Sequence, residues 1–371
     1  MAEHIRFEEG LIGDGFSYAF GISTVDLTGN GFPDVVAMDT DVGLYWFEND
    51  GSGRFTRHVV HERAGEWLER HEIADIDGDG RPEIVSVDNK GGSLLWFSFD
   101  GDPRERRSWT HHYITDGGFP GAYDLAVADL NGDGRLDVAA TNWRIGNEVA
   151  WFENRGDRWV KHTIEEGIGE PRTILAVDFD RDGRMDLLGS AVAGNQVGWY
   201  ENPGDPARRP WTKHVIDASP QPTHGGPVDM TGDGHLDVVM ALGMRPLPGV
   251  GDVPHQVVWY ENPGDPRQVP WRRHVIAESF PQAFEAVAAD LDGDGRIEVV
   301  ATGWEDAGRL ALFKHGGDPR GPWSMQVLKE GWTAADQVIL VDLDRDGRRD
   351  IVAAAERGSN EVRWWRNLGP A

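Results

Sequence analysis

The stretch Asp75-Ile76-Asp77-Gly78-Asp79-Gly80-Arg81-Pro82-Glu83 decides the reading of this chain, because the sequence repeats its pattern seven times. The copies begin at Asp26, Asp75, Asp129, Asp178, Asp229, Asp290 and Asp342. Each lies between two short apolar runs, such as Leu125-Ala126-Val127-Ala128 before and Ile84-Val85 after. Successive copies are roughly 50 to 60 residues apart, the spacing of blade-like units in a repeat protein. Oxygen-bearing side chains at the first, third, fifth and ninth positions alternate with glycines. Those glycines permit the positive-φ backbone that turns several oxygens onto one point, and hard cations such as Ca²⁺ take about six to eight oxygens. The twelfth position is Ser86 in the second copy and Ala301 in the sixth, not the Glu that ends a helix-flanked calcium loop. A turn between two strands, holding a structural cation, is therefore expected.

The expected ligands are Asp75, Asp77, Asp79 and Glu83 in the second loop, and Asp129, Asn131, Asp133 and Asp137 in the third. Asp178, Asp180, Asp182 and Asp186 follow in the fourth, and Asp229, Asp233 and Asp237 in the fifth. The sixth offers Asp290, Asp292, Asp294 and Glu298, and the seventh Asp342, Asp344, Asp346 and Asp350. Up to seven structural Ca²⁺ sites result, and no organic cofactor is expected. Thr28 and Asn30 degrade the first loop, which should be weak or empty, and Asn131 and Thr231 partly neutralise the third and fifth.

The repeat fills all 371 residues, so one toroidal domain is a better count than two average ones. Sixteen tryptophans suffice for a large core. Seven bound dications, fourteen positive charges, would bring the formal charge from −27 to −13. This acidity argues against nucleic acid as a partner. There are no cysteines, hence no disulfide scaffold or thiol chemistry. No run reaches membrane-spanning length, and Met1-Ala2-Glu3-His4-Ile5-Arg6 has no apolar signal core. As written, the chain is expected to be a soluble, cytoplasmic monomer with no membrane partner. Secretion is the alternative if a signal has been removed, because millimolar calcium is extracellular.

Each repeat has four apolar runs. The third carries an aromatic signature, as in Leu44-Tyr45-Trp46-Phe47-Glu48-Asn49 and Val197-Gly198-Trp199-Tyr200-Glu201-Asn202, often followed by a Pro-Gly-Asp turn. The fourth reads Trp159-Val160-Lys161-His162-Thr163-Ile164 or Trp211-Thr212-Lys213-His214-Val215-Ile216. β-branched and aromatic runs bounded by Gly, Pro and Asp are strands. The expected fold is all-β, a seven-bladed propeller of four-stranded antiparallel blades. The chain ends on a third strand, and His4-Ile5-Arg6-Phe7-Glu8-Glu9-Gly10 reads like the fourth strand at His162. Residues 4–10 should therefore complete the last blade and remove the open sheet edge.

These repeats resemble the FG-GAP/VCBS repeats of integrin-type propellers over nearly the whole chain, which implies Ca²⁺ in the Asp-rich loops. The Trp-Tyr-Glu-Asn-Pro and Trp-x-x-His variant resembles the propeller portion of pyranosone (aldos-2-ulose) dehydratases, sugar-modifying lyases whose further domains are not expected within these 371 residues.

Residues recurring in every blade read as scaffold, and those breaking the pattern near the axis as candidates. The recurring histidines (His4, His58, His112, His162, His214, His274) and the third-strand tryptophans fall in the first group. Five residues before each loop aspartate, the first strand presents Gly21, Arg70, Asp124, Thr173, His224, Glu285 and Gln337, a mixed polar ring expected at the channel mouth. His71, Tyr18, Tyr123, Arg172 and Asp336 are near it in register. Loops at the same mouth add Trp67, Phe119, Trp143, Arg144, Trp304, Glu305, Asp306, Trp332 and Arg357, a composition suited to sugar rings and their hydroxyls. An insertion at 242–255 could cover it as a lid.

Two functions fit. One is a carbohydrate-active enzyme performing elimination on a sugar acid or ketosugar, with a small-molecule or glycan ligand at the mouth. Arg70, Arg172 or Arg144 would polarise the substrate, His71 or His224 would serve as base, and Tyr123, Tyr18 or Glu285 as acid. Tyr18, Asp124, Trp143, Arg144, Trp304 and Asp336 would hold the substrate. The other is a calcium-stabilised lectin-like or protein-interaction propeller without catalysis. No nucleophile elbow, zinc-protease helix or phosphate loop fixes a reaction. Mouth residues that differ in every blade favour one asymmetric site.

Overall fold

The computed structural model describes residues 4–371 apart from 64, 245–252, 305 and 307. Turn signals between the apolar runs fold the chain into seven four-stranded antiparallel sheets. The innermost strands, which surround the axis, are Ala19–Val25, Leu68–Ala74, Ala122–Ala128, Pro171–Val177, Pro222–Val228, Ala283–Ala289 and Ala335–Val341. The first of these contacts both the second and the last, so the ring is closed. Between blades lies an apolar layer in which Trp46, Trp151, Trp199 and Trp259 are fully buried. Each large aromatic side chain of this kind buries roughly 150–250 Å², about 4–6 kcal/mol of hydrophobic stabilisation before entropy is counted.

The last blade is completed by the amino-terminal strand Ile5–Gly13, which pairs with Glu361–Pro370. Closure is thus as expected, but the register is not. In five blades a histidine lies opposite the third-strand tryptophan, and its ring stacks on the indole with centroids 4.0 to 4.6 Å apart. His58, His162, His214 and His274 also bond Glu48, Glu153, Glu201 and Glu261 at 2.7 to 3.1 Å. In the closing blade Gly10, not His4, lies opposite Trp364. The indole fills the histidine's place, and a Cβ on Gly10 would lie 2.2 Å from Trp364 Nε1.

Every innermost strand also carries an irregularity at the same point. Register shifts fall between Phe20 and Ile22, Leu68 and His71, Ala122 and Asp124, Pro171 and Ile174, Pro222 and Gly225, Ala283 and Glu285, and Ala335 and Val338. A bulge re-aims side chains that strict alternation would send to opposite faces. Two successive layers therefore turn towards the axis. That local distortion builds the hub.

Candidate functional site at the hub

The lower layer is the polar ring read from the sequence. Arg70, Asp124, Thr173, His224, Glu285 and Gln337 line a channel chamber of about 500 Å³. In blade one the ring position is Gly21, where a Cβ would lie 2.6 Å from Glu69 O. Arg70 pairs with Glu285 at 3.3 Å, and His71 Nε2 lies 2.7 Å from Ser23 Oγ. His224 places Nε2 3.1 Å from the Tyr123 hydroxyl and Nδ1 3.1 Å from Thr173 Oγ1. The Thr173 hydroxyl donates to Thr223 O at 3.0 Å. Its one proton is thereby used, so Nδ1–H of the neutral imidazole donates to Thr173 and Nε2 accepts from Tyr123. Burial and the Arg70 charge push His71 down to about 3, and burial with Arg70 and Arg172 holds His224 well below the usual range. Both stay neutral, contrary to the expectation of a base titrating near neutrality.

The upper layer begins with Phe20, Tyr123 and Phe284, whose rings pack with centroids 6.1 and 6.5 Å apart. Tyr18, Met244 and Trp304 join this cluster. It stands between the channel chamber and a separate mouth cavity of about 130 Å³. Arg70, His71, Asp124, His224 and Glu285, expected at the mouth, line the chamber instead. Tyr18, Tyr123, Trp143, Arg144, Arg172 and Trp304 do converge on the mouth cavity, with Trp67 and Arg357. Asp336 is buried behind it, and Gln337 N donates to its carboxylate at 2.5 Å.

Two residues that sequence reasoning missed complete the mouth: Glu69 and Glu356. Trp67 Nε1 donates to Glu69 at 2.6 Å, and Trp304 Nε1 donates to Glu356 Oε1. Burial drives Glu69 up to about 7 against the opposing pull of Trp67 and nearby arginines. Burial drives Glu356 up to about 8, helped by Glu69 and opposed by Arg357 and Trp304. The Arg172 guanidinium lies 4.6 Å from the Tyr123 ring centroid and 4.3 Å from that of Trp143, while Arg357 lies 4.7 Å from that of Tyr18. Among the described residues, Arg172 Nε and Glu356 Oε2 are buried without a protein hydrogen-bond partner. Buried polar atoms of this kind call for a water or a ligand.

Other expectations fall elsewhere. Phe119 packs against Phe152 at 5.4 Å, and Trp332 packs against Trp365 at 5.3 Å and bonds Glu361. Both are core between blades, not mouth. Glu305 and most of the insertion at 242–255 lie outside the described residues.

At the acidic loops, four of the seven bring three carboxylates within 4.8 Å of one another: Asp75, Asp77 and Glu83; Asp178, Asp180 and Asp186; Asp290, Asp292 and Asp294; Asp342, Asp344 and Asp350. The ninth-position carboxylate is also a backbone clasp, accepting from the second-position N–H at 2.9 to 3.1 Å in every loop. In the third loop, Asn131 Oδ1 accepts from Asp133 N at 2.9 Å and so is turned to the backbone.

The FG-GAP-like repeat family matches residues 26–86, 75–140, 129–189, 178–240 and 290–353, about three quarters of the chain. The chain belongs to the FG-GAP-like repeat family. A search of curated proteins finds no match. Among solved structures, similarity extends to BBS1N in complex with ARL6DN at 10% identity and TM-score 0.62, covering 98% of this chain and 96% of that one. Chaetomium thermophilum Raptor aligns at 11% identity and TM-score 0.60, over 98% of this chain but 29% of its own length. A chain of the Mitotic Checkpoint Complex aligns at 11% identity and TM-score 0.60, covering 98% and 94%. At such identities the likeness shows the fold alone.

As an FG-GAP-like propeller the chain is expected to hold cations in these loops. The donor set of the second loop fits a hard dication, because three carboxylates converge there and Asp75 Oδ1 is buried without a partner among the described residues. Asp75, Asp77 and Glu83 would hold it, and equivalent sets would serve the fourth and seventh loops. Such an ion would neutralise the clustered charge and fix the turn between the two inner strands.

Proposed function

We propose that the mouth cavity binds one small hydroxylated acid or ketone of the sugar-acid or ketosugar class and carries out elimination on it. One observation carries the reading: buried Glu69 and Glu356 share a cavity with Arg172, Arg357 and three indoles, in a combination no other blade repeats. The indole faces of Trp67, Trp143 and Trp304 suit stacking on a sugar ring. Arg172 and Arg357 supply the positive charge that would hold a carboxylate or polarise a carbonyl, acidifying the α-hydrogen. Glu69 has the lower pKa of the pair and takes the α-proton. Glu356 stays protonated at neutral pH and gives its proton to the departing oxygen as the C–O bond breaks and the C=C bond forms. Water leaves with it. Two carboxyl groups with separated pKa values make such an acid–base assignment possible. His71 and His224 are not used as bases, and Tyr123 is held by His224 as part of the cavity floor.

The test is a panel of uronic acids, aldonic acids and ketosugars, followed by ultraviolet absorbance of the conjugated product. Turnover by the wild-type chain that disappears in Glu69→Gln and Glu356→Gln, with melting curves retained, supports the reading. Saturable binding of one equivalent without turnover would instead make this a binding module.

A further inference from the structure

The residue before the last position of the third-strand signature is Glu48, Glu153, Glu201 and Glu261 in blades one, three, four and five. In those blades it anchors the stacked histidine. In blade six the same position is Lys314. Its ammonium contacts Asp292 Oδ2, the third-position ligand of its own acidic loop, and lies 4.0 Å from Glu298 Oε1, the ninth-position carboxylate. The side chains of Lys314, Asp292 and Glu298 are 6%, 5% and 1% exposed, so the ammonium is buried together with its two carboxylates. Blade seven has Arg366 at this position, 2.5 Å from Asp344, but its side chain is 41% exposed and free to swing outward.

A buried ammonium must be matched by an anion, and breaking such a match is far costlier than breaking an exposed one. In the sixth loop two of the four ligand positions already serve that purpose. A dication there would stand beside a like charge in a largely buried pocket, where the repulsion is poorly screened. Consistent with this, the carboxylates that converge in the sixth loop are Asp290, Asp292 and Asp294. The second, fourth and seventh loops instead bring in the ninth-position group. We propose that Lys314 is a tethered counter-ion that takes the place of Ca²⁺ in the sixth loop, so that this blade is locked without metal although its loop sequence is complete. The inference rests on the reading that the other complete loops hold Ca²⁺.

Equilibrium dialysis of the full chain against Ca²⁺ tests it. Asp77→Asn, in the second loop, is the control and should lower the bound count by one. Asp292→Asn should leave the count unchanged, and Lys314→Gln or Lys314→Glu should raise it by one. A loss of one equivalent in Asp292→Asn overturns the proposal, as does the absence of any gain in both Lys314 variants while Asp77→Asn loses one. Should the Lys314 variants fail to fold, Asp292→Asn alone decides. If neither the wild type nor any variant binds Ca²⁺, the cation reading of the loops and this inference fall together.

Discussion

Asn49 Nδ2 donates to Leu343 O at 2.9 Å, joining the third strand of blade one to the acidic loop of blade seven. The same residue donates to Pro33 O at 3.0 Å in its own loop, and its backbone N–H bonds Asp34 at 2.8 Å. Asn154, Asn202 and Asn367 repeat this arrangement, reaching Ile76 O, Leu130 O and Leu291 O of the preceding blade. Where the ninth loop position is Glu, as at Glu83 and Glu298, the third strand ends in Phe99 or His315 instead. The asparagine and the shorter aspartate are therefore one device, which in blades one, three, four and seven ties the loop to its own blade and to its neighbour.

Asn202→Ala should orphan the buried carbonyl of Leu130 and remove a bond to the part-buried carbonyl of Met185, at a cost of about 1–3 kcal/mol. Phe99→Asn should not create the clasp, because Glu83 reaches further than the aspartates. Chemical denaturation midpoints check both expectations, the first as a clear downward shift.

Gly10→Val should destabilise the closing blade by about 1–3 kcal/mol through overpacking against Trp364. Restoring the repeat's own residue with Gly10→His should do the same, since the indole already fills that space. Thermal melting measures this, and an unchanged melt would contradict the closure register.

The pH dependence has a definite sign. Glu356 binds its proton more tightly in the folded chain, at about 8, than a free glutamate does. The stability this contributes is fully present below the ordinary glutamate range and is lost as pH rises through 8. Glu356→Gln should therefore melt like the wild type near pH 4. It should be more stable at pH 9, by on the order of 5 kcal/mol. Turnover should be bell-shaped between the Glu69 and Glu356 values of about 7 and 8, falling on the acid side as Glu69 gains its proton and on the alkaline side as Glu356 loses its own.

Chelation should lower the melting temperature. Each site held at a hundredfold excess of Ca²⁺ over its dissociation constant contributes about 2.7 kcal/mol. Calorimetry with and without chelator checks this, and identical curves would contradict the cation reading of the loops.

The propeller was legible because its signals recur. Seven acidic turns, the third-strand aromatics and a missing last strand each say the same thing. The hub was legible only in part. Reading Arg70, Asp124 and Glu285 as one ring at the mouth assumed that successive side chains alternate. The shared bulge turns Glu69, Tyr123, Arg172 and Phe284 to the axis as well, one layer above. Counting one further residue back from each loop aspartate would have found Glu69 among otherwise aromatic and mixed neighbours. Glu356 occupies the same place in its blade as Trp143 and Trp304, fixed by a backbone hydrogen bond that recurs in every blade, so comparing blades at that position would have found it. The register at Gly10 was hidden because a glycine opposite an indole leaves no pattern to match.

The central claim is that one asymmetric cavity at the mouth, not seven equivalent sites, takes an acidic sugar. Isothermal titration with a hexuronic acid tests it most directly, on the wild type and on Arg172→Met. One equivalent per chain, weakened about tenfold or more when the Arg172 charge is removed, is the expected result, since charge-assisted contacts are worth about 1.5–3 kcal/mol. Several equivalents per chain, or affinity indifferent to Arg172, would contradict it.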